Sequence, residues 1–101
     1  MLFRSVAQAE RQVIEARSLL ESRRSNLSAA DRELAMIRPM ADKLIISKVD
    51  LIKAENAAAV ARNEVDAANA ALARAGSAIA EARAQTAQQR SDWMKIGRAH
   101  V

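Results

Sequence analysis

The chain has no cysteine and no tyrosine, one proline, two glycines and only two aromatic residues, Phe3 and Trp93, in 101 residues. Without cysteine there is no disulfide framework and no thiolate metal site. Without aromatic bulk a compact multilayer core is hard to fill, because close packing needs side-chain volume as well as low polarity. No apolar run approaches the ~18 residues that a membrane span requires. What the chain has instead is alanine. It supplies 24 residues, almost half of a hydrophobic set that makes up 50% of the sequence. Thin helices that approach closely can be built from such material.

Charged residues make up 28% of the chain and leave a net charge of +4, which invites a reading as a partner of nucleic acid or of an anionic membrane. The end of the chain weakens it. Residues 95–101, with Ile96-Gly97-Arg98-Ala99-His100-Val101, resemble the in-frame translation of a sequencing-library adapter, and are read as a non-native tail. Setting them aside removes Lys95 and Arg98 from the 16 basic residues, so that the 12 acidic residues leave about +2. The basic residues are also poorly placed for nucleic acid. Arg4, Arg11 and Arg32 share an outer stripe, but Glu10, Glu15 and Asp31 neutralise it, and no aromatic residues are there to stack on bases. No nucleic-acid partner is expected.

A strict three-four spacing runs through the first third as Val6, Ala9, Val13, Ala16, Leu20, Arg23, Leu27, Ala30, Leu34 and Ile37. This is the seam of a coiled coil, with Arg23 as one polar intruder. Pro39 removes a backbone donor and disfavours helical geometry at Arg38, so the first helix is expected over about residues 3–37. Ser47-Lys48-Val49-Asp50 then has the spacing of a capping box, with Asp50 in place of the usual Glu or Gln. From Leu51 the seam resumes as Ala54, Ala58, Ala61, Val65, Ala68, Leu72, Ala75, Ile79, Ala82 and Thr86, continuing to Gln89 and Trp93. The second helix is expected over about 48–94, with a tip at 38–47 between the two.

The fold class that follows is all-α, a two-helix antiparallel coiled-coil hairpin over residues 1–94. Its register can be read on paper. When opposing seam residues have numbers summing to 88, Leu20 meets Ala68, Leu34 meets Ala54 and Ala30 meets Ala58, so that large side chains mostly face alanine. Side chains lean toward the N-terminus of their own helix, so flanking partners sum to 93. Those partners include Arg38 with Glu55, Asp31 with Arg62 and Glu10 with Arg83, all opposite in sign. Off-seam alanines of the second helix, among them Ala57, Ala59, Ala70, Ala73 and Ala80, follow from helix propensity alone or from lateral packing against other helices.

No enzyme chemistry is expected. The single histidine lies in the suspect tail, the carboxylates are scattered along helix surfaces, and there is no glycine-rich phosphate loop. No cofactor and no metal ligand set is expected either.

Around the turn, Leu34-Ala35-Met36-Ile37-Arg38-Pro39-Met40 followed by Ile46-Ser47-Lys48-Val49-Asp50-Leu51 resembles the hairpin tip of the HlyD-like membrane fusion proteins, the periplasmic adaptors of type I secretion systems. The heptad hairpin from about Val6 to Trp93 fits that family, and the specific match lies between Glu33 and Glu55. The resemblance implies an adaptor in the periplasm, anchored to the inner membrane in the full-length protein. Its partners would be an inner-membrane ABC transporter, a TolC-like outer-membrane channel met by the tip, and further copies of itself as a homo-oligomer. It also implies a longer chain, with a membrane helix, lipoyl-like halves and a β-barrel domain around the hairpin.

Within that family's tip, Met40 takes the leucine position and Ser47 the serine position, while Arg38 sits beside the proline as in the secretion-type members. Leu44 departs from the pattern, which has glycine there. The residues alone agree on the place: Met40, Leu44, Ile45 and Ile46 are apolar at a turn, where polar residues are usual. Arg38, Met40, Lys43, Leu44, Ile45 and Ser47 are therefore the candidate channel-docking residues, with Lys48 completing a basic rim. The competing reading is a free-standing or cytoplasmic coiled-coil arm, serving as a scaffold or a weak RNA-binding prong.

Overall fold

The computed structural model describes residues 2–99, and side-chain surroundings for 6–98. His100 and Val101 of the expected tail, and the side chains of Phe3, Arg4 and Ala99, lie outside the described residues. Two helices account for almost all the rest: α1 over Leu2–Asp42 and α2 over Lys48–Ala99, joined by the turn 43–47. They pack only on each other, in a rod measuring 86 × 14 × 13 Å. At ~1.5 Å per residue, the 52 residues of α2 account for most of that length.

The three-four pattern decides which face is buried. Every seam position from Val6 to Ile37 and from Leu51 to Thr86 is buried or half-buried, while their neighbours are with few exceptions exposed. Leu20 packs with Val65 and Ala68, and Leu34 packs with Ala54 and Ala58, as the register summing to 88 requires. Buried alanines at Ala9, Ala54, Ala58, Ala61, Ala68 and Ala82 let the backbones approach, and each large residue fills the space opposite. No side chain of the described residues is both large and wholly enclosed. The rod therefore gains less from burial than a globular domain of its size.

The flank charges agree with the register. Asp31 and Arg62 pair at 3.6 Å, and Glu10 and Arg83 at 3.5 Å. The expected Arg38–Glu55 pair is not formed; among the described residues Arg38 has no ion-pair partner within 4.0 Å. Arg23 reaches out of the seam to Glu64 at 3.6 Å, with its side chain still 39% exposed. The aliphatic stem thus spans the seam while the guanidinium remains wet. Each pair is exposed and contributes little to stability.

Three expected boundaries are corrected. First, α1 does not stop near Ile37 but passes through Pro39 and ends at Asp42. Pro39 lies on the exposed side, as does Ala35, whose carbonyl loses its helical donor and can turn to water instead. Beyond the proline the Lys43 N–H donates to the Pro39 carbonyl at 3.1 Å, and Ala41 is only 6% exposed. One more seam layer thus offsets one lost backbone bond. Second, the tip shrinks accordingly from 38–47 to 43–47. Third, α2 runs to Ala99 rather than about residue 94, since Gly97 is the only weak helix former there and costs about 1 kcal/mol.

The seam of α2 also outlasts its partner. Gln89 and Trp93 continue the spacing, but Trp93 is 75% exposed, because the register offers those positions no residue of α1 within the described chain. Gly76 sits in α2 with open space around it, so it marks no close approach within the hairpin.

The register is open to a direct check. In the variant Leu20→Cys with Ala68→Cys, mild oxidation should give an intrachain disulfide visible as faster migration on a non-reducing gel. A slip of one heptad would instead favour Leu20→Cys with Ala61→Cys or Ala75→Cys.

Candidate docking tip

The tip is built from two caps in sequence. At the end of α1, the Ile45 N–H donates to the Met40 carbonyl at 2.8 Å and the Leu44 N–H to the Ala41 carbonyl at 3.0 Å. Together with a left-handed Leu44, φ 60°, this is a Schellman motif. Leu44 thus adopts the backbone that glycine favours, and its side chain is driven outward to 81% exposure. Two residues after Ile45, Ser47 starts α2. Its Oγ accepts from the Asp50 N–H at 3.2 Å, and its carbonyl accepts from the Leu51 N–H at 3.3 Å. Both are N-cap bonds.

These caps fix what the tip presents. Leu44 and Ile45, the latter 65% exposed, stand at the outermost point, and Met40 is 40% exposed beside them. Ile46 is half-buried and lines a groove together with Ile37 and Ala54. Three of the four apolar turn residues are therefore outside and one is half-buried. Arg38 and Lys43 are exposed, as are Lys48 and Ser47. The six candidate docking residues all fall within one turn of the end of the rod or in the turn itself, so the structure brings them together at one end.

Sequence reasoning missed part of this surface. Met36, Val49 and Ile52 are 66%, 60% and 54% exposed, and extend the apolar patch down both helices. The signal was available: all three are large apolar residues off the seam, where a two-helix rod has no use for them. Asp42 and Asp50 also lie exposed among the basic residues, so the rim carries both signs.

The described residues contain no group of three or more His, Asp or Glu side chains placed to hold a metal ion. Among the described residues, no helix is long and apolar enough to cross a membrane.

Residues 1–98 match the family model described as AprE, long alpha-helical hairpin. The chain belongs to that family, which supports its assignment as the hairpin of a type I secretion membrane fusion protein. No curated protein and no solved structure is significantly similar to the chain.

Two substitutions test the caps. Leu44→Gly should raise stability to heat or denaturant by about 1 kcal/mol, because it relieves left-handed strain without removing a contact. Ser47→Ala should lower it by about 1 kcal/mol through loss of the Asp50 N–H acceptor. Circular dichroism melts of the two variants read both effects, and a loss of stability in Leu44→Gly would show that the leucine packs rather than merely tolerates its backbone.

Proposed function

We propose that this AprE-type hairpin is the periplasmic arm of an HlyD-like adaptor, bridging an inner-membrane ABC transporter to a TolC-like outer-membrane channel. The full-length protein would be held at the inner membrane, with its hairpins side by side and their tips against the channel. The role is mechanical and needs no catalytic group, cofactor or metal.

The observation that carries the proposal is the exposure of Met40, Leu44 and Ile45 at one end of a rod 86 Å long. Leu44 and Ile45 are held outward by the two caps, with Met40 partly exposed beside them, and such apolar side chains suit an apolar centre of contact. Arg38, Lys43 and Lys48 surround that centre, where charge sets orientation and encounter rate more than affinity. The length of the rod lets a contact at the tip act far from whatever holds the other end.

Met40→Asp tests it in the full-length protein. Secretion should be lost while expression and helical content are unchanged, because a carboxylate at the centre of an apolar contact must be desolvated without a partner. Secretion at the normal rate would remove the docking role and leave the scaffold-arm reading in its place.

A further inference from the structure

The seam is not equally closed along the rod. Both packed clusters, Leu20 with Val65 and Ala68 and Leu34 with Ala54 and Ala58, lie on the tip side of Leu72. Two ion pairs brace that side, Arg23–Glu64 and Asp31–Arg62. Farther out the packing loosens. Between Ala68 and Ala82 no residue of α2 is buried, and Ala71, Leu72, Ala75, Ala78 and Ile79 are all half-buried instead. Burial is thus spread over two neighbouring rows of α2, and neither row is fully seated against α1. Across from them Leu19 is 44% exposed, and a groove opens between the helices over Ala16, Leu19, Ala71 and Ala78.

Gly76 and Ser77 sit in the middle of this stretch. Helices bend where Gly and Ser stand together, and glycine holds helical geometry more weakly than alanine does. A Cβ at Gly76 would meet nothing within 4 Å, so packing does not require the glycine. In a chain built largely of alanine, what glycine alone supplies at this position is backbone freedom.

We propose that the stretch around Gly76-Ser77 is a flex point that divides the rod into two units which open separately. The tip-side unit, residues 20–68, holds both clusters and the Arg23–Glu64 and Asp31–Arg62 pairs, and stays closed. The open-end unit, residues 6–19 of α1 with 71–86 of α2, opens without it. Only Ala9, Val13 and Ala82 are buried there, and Glu10–Arg83 is its one ion pair among the described residues. Regions with few buried apolar contacts and an exposed helical backbone open first. The consequence is mechanical. Residues 48–68 of α2 make a stiff head ~30 Å long at ~1.5 Å per residue, so a tilt applied at the open end is absorbed before it reaches Leu44 and Ile45. The inference rests on the packing of the rod and goes beyond the docking reading, and neither depends on the other.

Hydrogen exchange along the full chain tests it. Protection should step down between Ala68 and Leu72 on α2 and near Leu20 on α1, and be roughly level on either side of the step. A smooth decline from the tip to the open end would be ordinary fraying and would overturn the proposal. Ala59→Gly, at an exposed site of the tip-side unit, should lower protection in that unit about fivefold and leave residues 72–86 unchanged. An equal loss in both units would mean that the rod opens as one, and overturns it too. Gly76→Ala should raise the protection of residues 72–86 about fivefold, and no gain there removes the flex point. Circular dichroism at the exchange temperature shows whether each variant is helical. Should Ala59→Gly not fold, the step in the parent chain and the gain in Gly76→Ala decide the matter.

Discussion

Everything in this molecule depends on alanine facing a larger residue across a single seam. Where Leu20 meets Ala68 or Leu34 meets Ala54, the small side chain lets the helices close in and the large one fills the space. The arrangement gives a narrow rod and little buried area. Coiled-coil burial on this scale is marginal for a lone pair of helices. The same economy that makes the rod thin leaves much of its surface uncovered.

The two ends of the seam show how local backbone chemistry turns the rod into something that can be presented. At one end, Pro39 would be expected to terminate a helix, yet it lies toward solvent and the helix closes one further turn over Ala41. The Schellman motif at Leu44 and the N-cap at Ser47 then reverse the chain in five residues. A tighter reversal leaves fewer side chains to hide, so the apolar ones are displayed.

Most of the fold was legible because a coiled coil writes its packing into spacing. Each seam residue from Val6 to Ile37 and from Leu51 to Thr86 has the burial its position implies, and two of three flank pairs are formed. Two of the misreadings share one cause, a local rule that takes no account of the face. Proline breaks helices on average, but Pro39 is on the outside. Heptad spacing implies burial, but at Trp93 it does so only if a partner is present. At the tip, the candidate residues were legible as apolar side chains at a turn, and Met36, Val49 and Ile52 were legible by a different signal, large apolar residues off the seam, which a reading confined to the turn passes over. The positive φ of Leu44 is written in no pattern within the chain itself, since leucine does not favour it.

The Arg23–Glu64 pair, modest as an energy, has a consequence for length. A slide of α1 along α2 by one heptad would set Arg23 against Ala58 or Leu72 and carry it away from Glu64, while most layers in the middle of the rod would still be apolar on apolar. That one polar layer marks the rod at a fixed position, as an index line marks a scale. A slide of seven residues would shift one helix by ~10 Å, so the pair helps keep the hairpin a strut of constant reach rather than one that creeps under load.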